Sequence, residues 1–510
     1  MKHALSVTRA QDFAAWYQDV IKEADMAEDS GVRGCMVIRP WGYGMWERIQ
    51  KLMDAEIKKA GVENCYFPIF IPLSYFAREA DHVEGFAKEM AVVTHHRLVA
   101  DGKGGLMPDP GSKLEEPLVV RPTSETVIGA AMARWVQSWR DLPLMINQWA
   151  NVVRWEMRTR MFLRTSEFLW QEGHTAHADK ADAMAETLRA LEMYRAFAEG
   201  PLAMPVIAGE KPEHERFPGA DATYSIEAMM QDGKALQAGT SHYLGTTFAE
   251  AAGIRYQDKE GGQALAHTTS WGVSTRLIGG VIMTHGDDDG LRCPPQIAPW
   301  QVVLVPMLRD GPDDDAVLDY CRALAQQVCA QTAFGEPVRV LLDVKANKAS
   351  NKRWAWVKKG APIIVEVGPR DVAEGKVAVL RRDRLYKEDG KLATAFTPRD
   401  AFVGEVAQTL VDIEKSLHAQ ATARRDAAIR PVTSWVELEA HFTGGEDDVV
   451  GWVSCGWSRP TGAALEDVVK RLKTLKLTAR NTPLGGAVPV GTCVFTGDAA
   501  VETILLGRTY

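Results

Sequence analysis

The spacing of hydrophobic residues changes several times along the chain, and each change predicts an element. Apolar residues recur every three or four positions over Trp41–Ala60, which predicts a helix with Gly61 at its C-terminal cap. Further helices are predicted over residues 1–30 and over 180–200. The short apolar run Cys65–Ile71 predicts a strand, and its Pro68 indicates an edge or interface position because proline cannot donate to a ladder.

The segment Asn151–His177 combines a strand pattern with a cluster of charge. Apolar residues alternate with charged ones, which predicts a strand with two unlike faces: Val153, Trp155 and Met157 on one, Arg154, Glu156 and Arg158 on the other. A basic turn, Arg158–Arg164, precedes a second apolar run. Guanidinium groups bind phosphate oxygens in pairs, and a carboxylate can orient an adenine amine. At this point a solvated hairpin and a nucleotide-phosphate clamp both remain open.

Pro122–Glu125 leads into a helix predicted to reach about Arg140, with Thr123 as its N-cap and Glu125 at its positive end. Residues 202–290 are predicted to form strands broken by glycine-rich turns.

The second half of the chain alternates short apolar runs with helical patterns, which is typical of a compact α/β domain. The predicted elements are a strand at Gln301–Val305, a helix at Asp313–Thr332, and strands at Val338–Leu342 and Ile363–Val367. Before them, the acidic segment Gly286–Gly290 is interpreted as a linker rather than a metal site. A charged helical connection, Arg399–Arg430, introduces a last domain. We therefore expect three domains, covering residues 1–290, 291–400 and 401–510.

Composition narrows the class of protein without fixing its activity. The 510 residues are 46% hydrophobic, and no run approaches the roughly 18 apolar residues of a membrane span, so we expect no membrane partner. The start lacks the apolar segment of a signal peptide, and the seven scattered cysteines contain no C-x-x-C, which favours a reducing cytoplasm. The net charge of −8 does not exclude a nucleic-acid partner, because Lys345–Lys359 and Arg381–Arg384 are locally basic.

Several separated segments together resemble class II aminoacyl-tRNA synthetases, and specifically the prolyl-tRNA synthetase family of the archaeal and eukaryote-like type. The helix and strand ending near Pro68 are similar to motif 1, VVRWEMRTRMFLRTSEFLWQEGHTAH to motif 2, and SWGVSTR (270–276) to motif 3. Other similar segments are HVEGFAKEMAVVTHH (82–96), RPTSET (121–126), QAGTSHYLG (237–245) and, in an anticodon-binding domain, KKGAPIIVEVGPRD (358–371). The resemblance covers nearly the whole chain and weakens after about residue 430.

The resemblance implies an α+β multidomain fold: a catalytic domain built on an antiparallel sheet, an α/β anticodon-binding domain and a small α/β C-terminal domain. It implies a homodimer that uses ATP, with Mg²⁺, to activate L-proline as prolyl-adenylate and then transfers proline to the 3′ end of tRNA(Pro). Three alternatives remain: a synthetase for threonine, serine or glycine, a non-catalytic paralogue, and a stand-alone editing hydrolase.

The family's site residues carry over where this sequence matches. The resemblance gives Arg154 and Arg276 catalytic roles in neutralising phosphate charge. It implies an ATP site of Arg154, Glu156, Arg164, Thr165, Phe168, Gln237, Thr240, Ser274 and Arg276. It implies a proline site of Thr123, Glu125, Arg154 and His242.

Three further expectations concern an editing insertion, structural zinc and the C-terminal tyrosine. Arg164 and Gln237 are too close in sequence to hold the editing insertion of bacterial-type relatives, so we expect no hydrolysis of Ala-tRNA in cis. Relatives often bind structural zinc with two cysteine pairs, whereas Cys455 and Cys493 each look like half of a lost pair, so zinc is not expected. Tyr510 is expected to reach back toward the active site.

Glu172, His174 and His177 could be interpreted as a metal cluster. Because no fourth ligand is apparent, we expect them instead to support the second strand of motif 2.

Overall fold

A computed structural model describes residues 3–77, 90–443, 450–486 and 491–510. Of the segments that carry the family resemblance, residues 82–89 lie outside the described residues. In the part that is described, no helix is long and apolar enough to cross a membrane.

The helices of the described residues follow the predicted apolar periodicity in most places. In chain order they are α1 (Phe13–Glu23), α2 (Pro40–Lys59), α3 (Leu73–Ala77), α4 (Glu125–Trp135), α5 (Lys180–Glu199), α6 (Thr247–Ala252), α7 (Arg276–His285), α8 (Asp314–Cys329), α9 (Ala349–Lys359), α10 (Pro369–Glu374), α11 (Arg399–Ala427), α12 (Trp435–Phe442) and α13 (Gly462–Thr474).

The strands fall into three groups along the chain. The first group is β1 (Ala27–Asp29), β2 (Met36–Ile38), β3 (Glu63–Asn64), β4 (Phe70–Pro72), β5 (Val92–His95), β6 (Leu98–Ala100), β7 (Leu106–Pro108), β8 (Lys113–Val120), β9 (Leu144–Val153), β10 (Glu167–His177), β11 (Val206–Glu210), β12 (Ala222–Met229), β13 (Ala235–Gly245), β14 (Arg255–Gln257), β15 (Gln263–Leu265) and β16 (His267–Ser274). The second is β17 (Val302–Pro306), β18 (Thr332–Ala333), β19 (Glu336–Pro337), β20 (Val340–Leu342), β21 (Ile363–Val367), β22 (Lys376–Arg381) and β23 (Ala395–Pro398). The third is β24 (Ile429–Pro431), β25 (Trp452–Trp457), β26 (Thr478–Ala479), β27 (Thr482–Pro483) and β28 (Glu502–Gly507).

An eight-stranded sheet forms the centre of the molecule, in the order β27-β11-β12-β13-β16-β10-β9-β3. Its pairs are antiparallel except β3–β9 at one edge. Helix α5 packs on one face, where the rings of Trp271 and Tyr194 meet edge to face with 6.1 Å between their centres. This distance lies within the range of about 4.5–7 Å that is typical of aromatic pairs. A Cβ at Gly173 would lie 2.2 Å from the Trp271 ring, so glycine is required there. The opposite face is left open.

The second region is a five-stranded sheet in the order β20-β17-β21-β22-β23. Strand β17 runs parallel to both of its neighbours, and β21, β22 and β23 pair antiparallel. The strands β17 and β21 are buried along their whole length, because helices cover them. The predicted strand Ile363–Val367 is confirmed.

The third region is a four-stranded sheet, β24-β25-β28-β26, with its own buried core. It does not stand apart from the central sheet, because β27 pairs antiparallel with β11 and forms the outermost strand of that sheet. Behind this junction Met229, Ala235, Trp452 and Leu505 form a small shared core.

The acidic segment predicted to be a linker is a structured joint between the first two regions. Asp287 accepts hydrogen bonds of 2.7 and 2.5 Å from both terminal nitrogens of Arg382, which is 2% exposed. Asp288 binds Arg9 through an ion pair with 3.0 Å between Oδ1 and Nε. The expected division at residue 400 falls at the start of α11, whose buried side chains pack in the core of the second sheet. The three-domain division therefore stays a proposal.

Two predicted strands end differently from the pattern. Strand β9 stops at Val153, and Trp155 and Met157, placed by the pattern on the apolar face of a strand, are each 53% exposed. The backbone N–H of Arg154 still donates to the Ser166 carbonyl at 2.7 Å, but residues 155–165 then leave the sheet as a loop.

The apolar run Cys65–Ile71 is a strand only in its last residues, where β4 begins at Phe70. Arg121 explains this, because its buried guanidinium donates to the carbonyls of Phe67, at 2.8 Å, and Asn151, also at 2.8 Å. A side chain thus takes the place of a ladder partner for this stretch of backbone.

The helix predicted after Pro122 is shorter than expected. It ends at Trp135 rather than Arg140, and its N-cap is Ser124 rather than Thr123, which makes that part of the prediction wrong. The Thr123 hydroxyl instead donates to Glu125, the first residue of α4, and the Ser124 hydroxyl donates to Glu172 of β10.

Candidate active site

A cavity of about 280 Å³ lies on the open face of the central sheet. Nine of the residues expected from the family resemblance line it: Thr123, Glu125, Arg154, Phe168, Gln237, Thr240, His242, Ser274 and Arg276. These residues are as much as 153 positions apart in sequence, and the sheet brings them together.

The floor of the cavity follows from the two-residue period of the strands. Glu172, Gly272 and Thr240 stand side by side on β10, β16 and β13. Because Gly272 carries no side chain, it leaves space between its two neighbours. The next row is His174, Ser270 and His242.

An irregularity in β13 brings a further residue onto this face. Ile226 pairs with Gly239 and Glu227 with Gln237, so Ala238 is an extra residue in β13, as in a β-bulge. The bulge allows Gln237 and Thr240, three positions apart, to line the same cavity.

One end of the cavity holds a network of buried acidic and neutral side chains. Ser124 donates to Glu172 Oε1 at 2.5 Å, and Gln148 donates to the same oxygen at 2.5 Å. The other carboxylate oxygen lies 2.9 Å from His174 Nε2. Beside this network, the Thr123 hydroxyl donates to Glu125. Glu172 and His174 therefore line the site as well as supporting the strand, as expected of them, whereas His177 bonds to Asp182 away from the cavity.

The two histidines of this end have opposite electrostatics. Burial acts to lower the pKa of His174, but its hydrogen bond to Glu172 and the charge of Glu125 raise the pKa above its ordinary value. Burial, with the nearby His174, lowers the pKa of His242 to about 3. His242 is therefore neutral near pH 7, with its Nδ1 3.0 Å from the Thr223 hydroxyl.

Arg154 lies between the two ends of the cavity. Its guanidinium carbon is 5.6 Å from the centre of the Phe168 ring and 5.5 Å from that of Trp170, and its Nε donates to the Pro122 carbonyl at 2.8 Å. Burial lowers the pKa of Arg154, and the charge of Glu125 acts in the opposite direction. Its terminal nitrogens form no hydrogen bond with any residue that the structure describes, and a fixed cation of this kind can bind two anionic oxygens at once.

The other end of the cavity is cationic. Arg276 donates through Nε to the Leu163 carbonyl at 3.2 Å and through Nη1 to the Gln237 carbonyl at 3.4 Å. Burial and the neighbouring Arg154 lower the pKa of Arg276 to about 10, so it remains charged near pH 7. The Phe168 ring supplies an apolar surface at the same end.

Three of the expected nucleotide residues do not line this cavity. Glu156 accepts a hydrogen bond from Arg164 Nε at 2.5 Å, and Arg164 lines a second cavity that adjoins the first. Thr165 is 6% exposed, and its hydroxyl has no hydrogen-bond partner among the described residues. Tyr510 also lines the second cavity, where its hydroxyl donates to Asp232 at 2.5 Å.

Sequence reasoning missed several residues of the cavity. Trp170 shares a strand face with Phe168, so the two-residue period would have found it. Arg216 and Phe217 come from a loop after a short turn, Glu213–Glu215, and no local pattern indicates that they line the cavity. The Phe217 ring packs on that of His242, with 4.5 Å between centres.

The two cysteines of the C-terminal region, at which zinc is not expected, differ in their electrostatics. Burial, with the neighbouring Cys493, raises the pKa of the Cys455 thiol to about 12. Although burial acts to raise it, the pKa of Cys493 is lowered, because Ser458 and the backbone of Phe495 and Thr496 donate hydrogen bonds to its sulfur. Zinc binds thiolates, usually four ligands in a closed site. In the part of the chain that the structure describes, no group of three or more His, Cys, Asp or Glu could hold a metal ion.

Comparisons with known protein families agree with this geometry. Residues 110–285 match the family described as tRNA synthetase class II core domain (G, H, P, S and T), and residues 301–397 match the anticodon binding domain. An antiparallel sheet with a site on its open face, followed by an α/β anticodon-binding region, defines a class II aminoacyl-tRNA synthetase.

Curated relatives identify the family within this class. The chain is 74% identical over 510 residues to the proline–tRNA ligase of Sphingopyxis alaskensis, covering all of this chain and 96% of that protein. It is 71% identical over 511 residues to that of Novosphingobium aromaticivorans, covering 100% and 99%. The chain belongs to the proline–tRNA ligase family, and it is an ATP-dependent aminoacyl-tRNA ligase, as the resemblance implied.

Solved structures show the same relation. The prolyl-tRNA synthetase of Cryptosporidium parvum, complexed with halofuginone and AMPPNP, has a TM-score of 0.87 at 34% identity, covering 99% of this chain and 97% of that one. The same enzyme complexed with L-proline and AMP has a TM-score of 0.86 at 32% identity, with the same coverage. The expected multidomain fold is thereby confirmed.

Proposed function

We propose that the cavity on the open sheet face binds L-proline at its Glu125 end and ATP at its Arg276 end, with Arg154 between them. The observation that carries this proposal is that all four residues expected at the proline site, and six of the nine expected at the ATP site, line one continuous cavity. The relatives named as proline–tRNA ligases, and the solved enzyme bound to L-proline and AMP, support it.

In the first step a proline carboxylate oxygen attacks the α-phosphorus of ATP. The bond from that phosphorus to the bridging oxygen breaks, and pyrophosphate leaves with the electron pair. The carboxylate is already ionised at neutral pH, so the step needs no general base. The protein's task is to align the reactants and neutralise charge, which Arg154 and Arg276 would do from fixed positions.

The proline end suits a secondary ammonium group. Glu125 offers a carboxylate to its two N–H donors, and the neutral His242 adds no competing charge. Trp170 and Phe217 provide apolar walls for the ring. This arrangement favours proline over threonine, serine or glycine as the substrate.

At the nucleotide end, we propose that Phe168 stacks on adenine and that Gln237, Thr240 and Ser274 complete the site. Glu156 and Arg164, joined by their ion pair, would cover it from the loop above. Mg²⁺ would enter with ATP, since this ion is usually held by substrate phosphates, waters and one or two carboxylates rather than by a protein cage.

In the second step the terminal ribose hydroxyl of tRNA(Pro) attacks the prolyl-adenylate, giving prolyl-tRNA and AMP. The anticodon-binding region supports tRNA as the partner. We also propose a homodimer in the cytoplasm, without structural zinc. Exposed apolar side chains within and just after the segment similar to motif 1 support the dimer: Tyr66 is 72% exposed and Phe70 48%.

The test is ATP–pyrophosphate exchange with each of the twenty amino acids, using the full-length protein. Exchange with proline alone is expected. Exchange with another amino acid instead would mean that this amino acid, and not proline, is the substrate. Exchange with none would favour the non-catalytic paralogue.

Editing in cis remains a separate prediction. The structure describes all residues from Arg164 to Gln237. They form strands of the central sheet and the helix packed on it, and no separate unit. A hydrophobic pocket distinguishes one methylene by only about 1–3 kcal/mol, so some alanine should be activated. We expect the purified protein to leave Ala-tRNA intact, and measured hydrolysis would contradict this.

A further inference from the structure

Helix α7 begins with Arg276, the cation proposed to neutralise phosphate charge, and every later residue of this helix is buried. Two glycines let it pack closely on its neighbours. A Cβ at Gly279 would lie 2.5 Å from Leu163 Cδ2, and one at Gly280 would lie 2.9 Å from Leu236 Cδ2. The helix therefore lies directly against the loop whose Leu163 carbonyl accepts a hydrogen bond from Arg276.

The C-terminal end of α7 is also buried, although the last carbonyls of a helix have no partner within it. Side chains from other elements supply the missing donors. Arg424 of α11 donates through Nη2 to the Thr284 carbonyl at 2.7 Å, and Arg292 donates to the next carbonyl. Gln231, from the turn between β12 and β13, donates to the Gly286 carbonyl at 2.9 Å. These three side chains form the cap of α7.

The charge at this end of the helix is positive. Arg9 also donates to the Gly286 carbonyl, at 3.4 Å, so that three arginines meet there. Burial, with the neighbouring Arg292 and Arg9, lowers the pKa of Arg424 to about 10, and it remains charged near pH 7. Arg424 forms no ion pair with any carboxylate that the structure describes. The partial negative charge at the C-terminal end of α7 therefore compensates part of its charge.

Arg424 belongs to a helix that is held independently of α7. The first four turns of α11 are buried in the core of the second sheet through Phe402, Val406 and Leu410. Near its other end, Gln420 accepts a hydrogen bond of 3.0 Å from Nη1 of the cap residue Arg292. A helix anchored in the anticodon-binding region thus fixes the end of α7.

We propose that Arg424 is a positioning residue for proline activation, which acts through α7 to hold Arg276 at the α-phosphate. This inference rests on the proposed function. A helix rises about 1.5 Å per residue, so the cap lies about 14 Å from Arg276. No cap residue lines the substrate cavity.

The hydrogen bonds of Arg276 explain why its position depends on the cap. Its guanidinium donates to the Leu163 carbonyl at 3.2 Å and to the Gln237 carbonyl at 3.4 Å, both near the upper limit for such bonds. A displacement of α7 by a few tenths of an ångström would weaken both. Misplacement of a charged group in the transition state lowers the rate of the chemical step.

The test is proline-dependent ATP–pyrophosphate exchange by the full-length variant Arg424→Gln. We expect kcat to fall about tenfold, while the KM for proline, whose site lies on other elements, changes by less than about twofold. Arg424→Lys keeps a cation and a donor, so it should recover most of kcat. The matched control is Arg425→Gln, because Arg425 of the same helix donates to the Val206 carbonyl, at 3.4 Å, rather than to α7. Its kcat should stay unchanged.

A double variant separates positioning from a general loss of structure. In an Arg276→Lys background, Arg424→Gln should lower kcat by less than about twofold, because its effect passes through the native arginine. If Arg424→Gln does not fold, Gln231→Met supplies the same test. It removes a neutral donor of the cap and should lower kcat about threefold, with the KM for proline unchanged.

An unchanged kcat in a folded Arg424→Gln variant, or in Gln231→Met where it replaces that variant, would overturn the proposal. So would an equal loss of kcat in Arg425→Gln, or a further tenfold loss in the Arg276→Lys background, because Arg424 would then act on the fold as a whole. A rise in the KM for proline alone would also overturn it. If the unaltered protein exchanges with no amino acid, the proposed function itself fails, which is a different result.

Discussion

The two ends of the substrate cavity are built in different ways. At the Glu125 end, polar side chains are buried and bonded to one another, with Glu172 at the centre of the network. At the other end, Arg276 bonds to backbone carbonyls, and beside it Arg164, which lines the adjoining cavity, lies on an open loop with its side chain 58% exposed. The difference fits the proposed ligands, because a small rigid amino acid is recognised by fixed partners and a phosphate chain by concentrated charge.

The largest effect is expected where the two ends meet. Arg154→Ala should lower proline-dependent exchange by at least about 1000-fold, since it removes the cation proposed to contact both substrates. Near-normal exchange in a variant whose thermal unfolding is also near normal would show that Arg154 does not join the two ends of the cavity.

A change at the proline end alone should affect one substrate. Glu125→Gln keeps the size of the side chain but removes its charge, so the KM for proline should rise about 100-fold while that for ATP changes little. Steady-state exchange kinetics with each substrate varied in turn measure this. Equal losses for proline and ATP would mean that the two ends are not independent.

A change at the nucleotide end should raise the KM for ATP rather than that for proline, and by a smaller factor. Arg164→Ala should raise the KM for ATP about tenfold and leave that for proline unchanged, because the exposed side chain contributes charge rather than packing. Phe168→Leu offers a second probe in the same assay, through lost stacking on adenine. Either variant altering proline affinity more than ATP affinity would contradict the assignment.

The smallest expected effects concern the pH dependence of stability. The pKa of His174 is raised, so its stabilising pairing is complete below its unfolded pKa of about 6.5 and is lost as pH rises through the folded value. The pKa of His242 is lowered to about 3, so its contribution is present above about pH 6.5 and falls as pH falls toward 3. His174→Gln should therefore cost more at pH 6 than at pH 9. His242→Gln should cost more at pH 8 than at pH 5, by about 2 kcal/mol. Urea unfolding at these pH values checks this, and matching profiles for the two variants would refute it.

The local pattern of apolar residues predicted many of the helices and strands. Helix Trp41–Ala60 and strand Ile363–Val367 are observed nearly as the periodicity indicated, because their cores are set by residues a few positions apart. The two-residue period of β10 also places Glu172 and His174 on the same face as Phe168, and all three line the cavity.

The parts that could not be predicted depend on distant contacts. The alternating pattern continues past Val153, yet strand β9 stops there. The segment between β9 and β10 leaves the sheet as a loop, in which Arg164 donates to Glu156. Phe217 is held at the cavity because its backbone N–H donates to the Thr223 hydroxyl at 3.0 Å and its ring contacts that of His242. The substrate roles themselves came from the family resemblance, not from spacing.

The outer strand of the central sheet has a consequence for how the chain folds. Strand β11 gains its partner β27 only when a segment 272 residues further along has been synthesised, as the Thr482–Glu210 hydrogen bond shows. Until then the edge of the catalytic sheet is open to pairing with other chains, and contacts of such long range close slowly. We therefore expect nascent or truncated chains to be the aggregation-prone forms of this protein.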